Sequence, residues 1–459
     1  MASSFDGGGR SSAAAPMRVT VTDGPLQFEG AKDFRLRVVL AVLARRPVVI
    51  ERIRSKDESP GVRDYEASLL HMLDKMTSGS KTDINTTGTR LRFKPGVLLG
   101  GLITHDCTTN RGIGYWLEAL MLLAPFCKNP VKAVLTGVTN EALDVSVDRL
   151  RAVAMPLIKA FGIDGARLDC KRRGAQPRGG GMVTFSCPVV KELRAVSILE
   201  EGFIRRVRGV AYSARVSPQV GNRVVASARS LLNKLLPDVY INTDHMKGVD
   251  AGLSPGYALS LVAESTSGCL ASAEAPVRPG ETPEELGRRV SALLCDELSR
   301  GGCVDTDASP IALVFMALTP PDVSRLRIGR LSPRAVATLQ LIDKILGVRF
   351  RLRPEPKGTI RQRAEAGVAA DDEGARNLIA GKGMAPAAPK PADPDEELIK
   401  GKRKKRSRDD VEDEEEEEDA EAAAAEAAAL AARVEVAITD SVIVSCVGMG
   451  YKNMARSVT

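Results

Sequence analysis

Histidine is scarce in this chain of 459 residues: only His71, His105 and His245 occur, in three separate segments. No Ser-His-Asp or two-carboxylate arrangement can be argued from their spacing. Eight cysteines (Cys107, Cys127, Cys170, Cys187, Cys269, Cys295, Cys303 and Cys446) are scattered, mostly inside apolar stretches. None stands beside another at metal-ligand spacing, so buried free thiols in a reducing compartment are expected, with no metal and no other cofactor. Aromatic residues are few and tryptophan occurs once, which argues against base stacking in the manner of single-strand binders. No apolar run reaches the roughly 18 residues of a membrane span. The opening "MASSFDGGGRSSAAAP" lacks the apolar stretch of a secretory signal, and residues 1–16 read as a flexible tail.

Charge is plentiful and uneven. From Glu355 to Arg433 there are 14 Lys and Arg against 21 Asp and Glu, a net of −7, which leaves 51 against 37, or +14, on the rest. The presumed folded part is therefore strongly basic, which suits phosphate-bearing partners and also simple solubility. Within the acidic segment, "GKRKKRSR" (Gly401–Arg408) precedes "DDVEDEEEEEDAE". The patch Lys402, Arg403, Lys404, Lys405 and Arg406 has the character of a nuclear localisation signal, because exposed cations can engage an acidic receptor groove. A solvated linker would look the same.

The folded part repeats itself in order rather than identity. "FRLRVVLAVLARRPVVIERI" is an apolar helix pattern, a basic-Pro turn and a β-branched strand. "YWLEALMLLAPFCKNPVKAVLTGV" follows the same plan, with Pro130 standing 83 residues after Pro47. Each is followed by an amphipathic helix ("RDYEASLLHMLDKM", "VDRLRAVAMPLIKAFG") and a basic, Gly-bearing hairpin ("TRLRFKPGVLLGG", "CKRRGAQPRGGGMVTFSC"). A third copy is read from "SPIALVFMAL", "VSRLRIGRL", "PRAVATLQLIDKIL" and "VRFRLR". The expected fold class is α/β (α+β): three units of two helices and four strands, plus a smaller inserted α/β domain. The divisions expected are 17–188 for the first two units, 189–275 for the insert, and 276–353 with 434–459 for the third. Residues 354–433 are expected to be disordered, with a last strand within Glu435–Gly448.

Several loops concentrate cations. "QPRGGGMV" sets glycines beside Lys171, Arg172, Arg173 and Arg178, where close backbone approach to a phosphate is allowed; a flexible hairpin explains the same residues. No Gly-Lys-Ser/Thr follows at P-loop spacing. "NRGIGYWLEAL" places Asn110, Arg111 and Gly112 at the start of an apolar helix, where free N–H groups attract an anion, or where simple capping suffices. "RIRSKDESPGVRDYEA" supplies Arg52, Arg54, Lys56 and Arg63, and "TDHMKG" supplies Lys247. If the units pack side by side, Arg54, Arg63, Arg111, Arg173, Arg178 and Lys247 are expected to line one basic cleft for an anion or RNA.

Taken in order, "FRLRVVLAVLARRPV", "RGIGYWLEALMLLAPF", "GVTNEALDVSVDRLRAVAMPLIKAFGIDG", "VRGVAYSARVSPQ", "TDHMKGVDAGLSPGYALSLVAESTSG" and "RGGCVDTDASPIALVFMAL" resemble the RNA 3′-terminal phosphate cyclase family, in its eukaryotic cyclase-like branch. The resemblance covers about Val19–Arg353 and Val434–Thr459 and implies the cyclase fold. Cyclases close a 2′,3′-cyclic phosphate with ATP through a histidine that becomes adenylylated. That histidine should lie near Gly329–Leu331, where "GRL" stands. The family's glycine-rich loop falls at Glu29-Gly30-Ala31-Lys32, largely rewritten, and its Asp-Gln pair falls near Pro310 and Ile311. A histidine nucleophile has no substitute in glycine or leucine.

The resemblance therefore implies a non-catalytic protein rather than a cyclase. It implies a nuclear and nucleolar factor of the small-subunit ribosome precursor, supporting pre-rRNA processing toward 18S rRNA. Its implied partners are a ribosome-assembly GTPase, the U3 snoRNP within the small-subunit processome, and pre-rRNA, with no membrane. The enzyme alternative is an endoribonuclease acting on pre-rRNA. Asp343 and Lys344 in "LQLIDKILG" are the charged pair available to it, and the polar face of an amphipathic helix equally explains them.

Overall fold

The computed structural model describes residues 24–354 and 441–453. Three four-stranded sheets share one pairing scheme. In the first, strand Leu26–Glu29 passes through helix Phe34–Ala44 to strand Val48–Glu51, and helix Asp64–Met76 leads to strands Lys81–Ile84 and Leu91–Lys94. The first pair is parallel, and the last two strands join it antiparallel. A parallel pair needs a crossover, which the helix supplies, whereas the antiparallel pair needs only a turn.

The second unit repeats this with strand Gly100–Asp106, helix Gly114–Leu123, strand Asn129–Gly137, helical turns between Val147 and Ala160, and strands Arg167–Arg172 and Gly181–Cys187. The third uses Ser197–Ile198, helix Ser309–Leu318, strand Val323–Ile328, helix Pro333–Leu346 and strand Arg351–Pro354. Strand Val442–Val447 closes it by inserting between Val323–Ile328 and Arg351–Pro354. The chain is thus mixed α/β with the architecture of the cyclase fold. The expected tail 1–16, the intervening low-complexity stretch and the patch Lys402–Arg406 lie outside the described residues.

Helices Gly114–Leu123 and Ser309–Leu318 have every residue buried. Apart from Glu118 and Ser309 both helices are apolar all round and have no face to give to water, so these two form the centre on which the sheets pack. Trp116, fully buried, lies in that centre.

The insert has its own sheet, ordered Val239–Met246, Ile204–Ala214, Gly256–Ser265, Leu270–Pro276. Its separate core joins Val207, Leu259 and Leu261 to Val224 of helix Pro218–Leu232 and to Leu286, Val290 and Leu294 of helix Pro283–Ser299. The expected division at 275/276 would cut this core in two. The helix Pro283–Ser299 packs with the insert rather than the third unit, and Ser197–Ile198, expected in the insert, pairs with the third sheet. Among the described residues no helix is long and apolar enough to cross a membrane.

Candidate functional site

A cavity of about 220 Å³ opens where the first turns of helices 34–44, 114–123 and 309–318 converge. Ala31, Pro310 and Ile311 line it, so two of the segments matched to the cyclase loop and polar pair meet there. Its wall is rich in arginine. Arg54 is forked onto Glu66 (2.7 and 2.8 Å) and reaches Tyr65 Oη at 3.2 Å. The hydrogen bond to Glu66 holds the Arg54 guanidinium above its ordinary pKa. Arg111 is forked onto Asp144, donating from Nε and Nη2 at 2.6 Å each, and lies over the rings of Tyr65 and Tyr115. Arg35 and Arg334 both pair with Glu118, which is nearly buried.

Four guanidinium groups here face Glu66, Glu118 and Asp144, and Asp33 also lines the cavity. The cleft expected to be basic is therefore close to electrically balanced. The anion site expected at Asn110–Gly112 is likewise occupied from within: Asp144 Oδ2 accepts from the Gly112 N–H at 3.1 Å, so the chain's own carboxylate takes the helix start.

A larger cavity of about 560 Å³ lies between the second unit and the insert and shares Arg334 with the first. Arg149 crosses its floor to Asp305 at 3.0 Å and to Asp307, and donates to Ser272 O. Glu274 accepts from the Ser146 N–H at 2.7 Å and from its hydroxyl. Burial pushes the Glu274 carboxyl up to about 7, although Arg149 and the two Ser146 bonds pull it down.

Arg173 corrects the sequence expectation most sharply. It is 2% exposed, bonded to Asp148 (2.9 Å through Nη2) and Asp244 (2.8 Å), with its guanidinium over Tyr212. Asp148 belongs to the second unit and Asp244 to the insert, so Arg173 ties the two together and cannot reach a ligand. Arg63 stands at the N-cap of helix 64–76, where its backbone N–H donates to Glu66 at 2.9 Å, and its side chain is half-exposed at 3.6 Å from Asp57.

Arg178 and Lys247, by contrast, are exposed. Arg178 donates to Leu253 O at 2.9 Å. Beside them Arg215, which no motif in the sequence marks, donates to Gly252 O (2.8 Å) and Gly248 O (3.3 Å). Loop 247–254 is held against hairpin 174–181 by Leu253 N–H to Gly179 O (3.0 Å). Gly252 makes this approach possible: at φ 60°, a Cβ there would stand 2.3 Å from Arg173 O. Among the described residues Arg178, Arg215 and Lys247 form no ion pair, although the exposed Asp250 stands in the same loop. They make a basic ridge at the junction of second unit and insert. Only adjacency to a strand end and helix start distinguishes Arg215 in the sequence, a weak signal shared by many arginines.

The histidines stand apart from both cavities. His105 is 5% exposed, with Nε2 at 2.8 Å from Ser68 Oγ, and burial lowers its pKa to about 4, which keeps it neutral. His245 Nδ1 contacts Ser213 Oγ at 2.9 Å, and His71 is exposed on helix 64–76. Asp343 pairs with Arg349 at 3.2 Å, and Lys344 donates to Gln27 O while lying over Phe28. Both are on the outer face of helix 333–346, outside the two cavities. No group of three His, Cys, Asp or Glu suited to a metal occurs among the described residues.

A family model described as RNA 3′-terminal phosphate cyclase matches residues 26–352. An RNA 3′-terminal phosphate cyclase-like protein of Homo sapiens is 51% identical over 340 residues, covering 72% of this chain and 91% of its own length. A probable protein of the same description from Dictyostelium discoideum is 45% identical, over 72% of this chain and 94% of its own. A Schizosaccharomyces pombe protein named an rRNA processing protein is 40% identical, over 73% of this chain and 93% of its own.

Proposed function

Since the chain belongs to the RNA 3′-terminal phosphate cyclase family, we propose that it serves pre-rRNA processing by binding rather than by cyclising RNA ends. One observation carries this reading: Gly329–Leu331, where the family's histidine is expected, holds none, and neither does the cavity that gathers Ala31, Pro310 and Ile311. Adenylyl transfer to the protein needs an accessible nucleophilic nitrogen. His105 is buried against Ser68, and His71 and His245 lie elsewhere, so none can replace the missing one. The arginines of that cavity are held by carboxylates, which gives the site rigidity without free charge for a triphosphate.

Contact with RNA falls instead to the ridge of Arg178, Arg215 and Lys247, because phosphate binding needs exposed, uncancelled cations and no nucleophile. The name of the Schizosaccharomyces pombe relative supports rRNA as the substrate class. Within that role the protein acts in the nucleolus on the small-subunit precursor, on the route to 18S rRNA. Its partners there are a ribosome-assembly GTPase and the U3 snoRNP of the small-subunit processome. The patch Lys402–Arg406 serves import, which loss of nuclear accumulation on its replacement by alanine would reveal.

The test uses the purified full chain. Radiolabelled ATP should leave the protein unlabelled, and a pre-rRNA fragment should bind with affinity that falls steeply as salt rises. The triple variant R178A/R215A/K247A should reduce the slope of log affinity against log salt by about 2–3, near one for each phosphate no longer neutralised. Adenylylation of the wild type would overturn the non-cyclase reading. An unchanged salt slope in the triple variant would remove the ridge from it.

A further inference from the structure

A third cavity, also about 220 Å³, lies away from both clefts, where the insert hairpin meets the loop before helix 309–318. Val153, Pro156, Leu157 and Ile198 make it apolar, and two thiols, Cys269 and Cys303, line it together. Their closeness is built by the backbone. Leu270 and Val304 form a parallel β-bridge, which sets the preceding residues, Cys269 and Cys303, side by side. Neighbouring strands run about 4.8 Å apart, inside the roughly 4.4–6.8 Å Cα window that a disulfide requires. In parallel register the two side chains also leave the same face of the pair.

We propose that Cys269 and Cys303 are an oxidisable dithiol, a modification site that closes to a disulfide under peroxide and staples the insert to the third unit. Cys269 is the thiol that a small oxidant meets first: it is partly exposed at the hairpin turn, whereas Cys303 is 4% exposed. Its sulfur lies 3.4 Å from the Ser267 hydroxyl, whose shorter bond goes to Glu201 O at 2.6 Å, and the thiol itself donates to Glu200 O at 3.2 Å. The hydrogen bond from Cys303, with those from the serines, lowers the Cys269 thiol to about 6 against burial. The same contact pushes the Cys303 thiol well above its ordinary value. Glu201 opposes the first of these effects. Cys127, Cys187 and Cys446 are pushed up to about 12 by burial, so they compete poorly as thiolates.

The chemistry balances without a cofactor. The Cys269 thiolate attacks one oxygen of hydrogen peroxide, the O–O bond breaks, and a sulfenic acid and hydroxide result, the hydroxide taking up the proton that the thiol gave to solvent on ionising to make one water. The Cys303 thiol then attacks that sulfur, the S–O bond breaks, and the disulfide forms as a second water leaves. Two thiols lose two electrons, and one peroxide becomes two waters. Thiol reductants reverse it by exchange.

The test is treatment of the full chain with a small excess of hydrogen peroxide, followed by thiol counting under denaturing conditions and peptide mapping. Two of the eight thiols should disappear, one linked peptide should join Cys269 to Cys303, and dithiothreitol should restore both. C269S should abolish the change. C303S should leave a sulfenic acid on Cys269 that dimedone traps. Retention of all eight thiols, or a decrease that persists in C269S, overturns the proposal. The wild-type peptide map decides the matter even if a variant folds poorly, and neither outcome bears on RNA binding.

Discussion

Arg173 offers the clearest separation between a residue that binds RNA and one that holds the protein together. Replacement by alanine strips Asp148, which is 4% exposed, of a forked guanidinium partner, and leaves only Asn140 at 3.2 Å and Arg151 at 3.6 Å beside it. With Arg151 still at 3.6 Å the charge is partly compensated, so the loss sits at the lower end of the about 3–5 kcal/mol that a stranded buried charge costs. Removal of the stacking on Tyr212, at 5.0 Å, adds to it. Urea unfolding followed by fluorescence of Trp116, the single tryptophan, should therefore show a much lower midpoint for R173A. Removing both charges in R173M/D148L should cost less than the sum of the single changes, by roughly 2 kcal/mol, because the buried Asp148 is no longer stranded, while the more exposed Asp244 loses its partner in either case. RNA affinity, measured where the variant remains folded, should be close to wild type. An R173A protein that unfolds like wild type yet no longer binds RNA would refute this assignment and return Arg173 to the binding surface.

Two further outcomes follow from named contacts. Glu274 has its carboxyl raised from an ordinary 4.5 to about 7, so the fold favours the neutral form. Its contribution is whole below about pH 4.5 and is lost as pH rises through 7, a difference of roughly 3 kcal/mol at about 1.4 kcal/mol per pH unit. E274Q should match wild type near pH 4 and exceed it near pH 8 in urea unfolding; identical pH profiles would sink the argument. Gly252 adopts φ 60°, ψ −155°, a region nearly closed to other residues, and its added Cβ would strike Arg173 O. G252A should cost at least about 2 kcal/mol and weaken RNA binding by displacing Lys247 and Arg215, whereas a neutral effect on both would show that loop 247–254 does not need its observed path.

The repeated scaffold was legible in the sequence because local signals carry it. The Pro47 and Pro130 turns, the apolar run from Pro310 to Leu318 and the glycine-bearing hairpins each announce an element without reference to anything distant. The limits of the insert were not legible for the opposite reason. Helix Pro283–Ser299 is amphipathic and well capped by Thr282 and Glu285, but amphipathicity states that a face is buried, never against which sheet. The candidate site divides the same way. Arginines are visible in a sequence, and their partners are not: Arg334 meets Glu118 across 216 residues and Arg149 meets Asp305 across 156. Only Arg54, whose partner Glu66 is 12 residues away, lay within reach of local reading.

That division between paired and unpaired cations decides where an anion can bind. A phosphate entering the first cavity must displace Glu66, Glu118 or Asp144 from guanidinium groups held at 2.6–2.8 Å, leaving a carboxylate buried without its cation. Such stranding costs about 3–5 kcal/mol, more than a phosphate recovers from one arginine. A phosphate reaching the ridge meets Arg178, Arg215 and Lys247, of which the two arginines donate to backbone carbonyls, and it displaces no ionic partner. The guanidinium groups of that cavity are thus spent on holding Glu66, Glu118 and Asp144 in place. On the proposed reading, the exposed junction of second unit and insert is a place where an RNA backbone can meet cations without displacing a carboxylate from them.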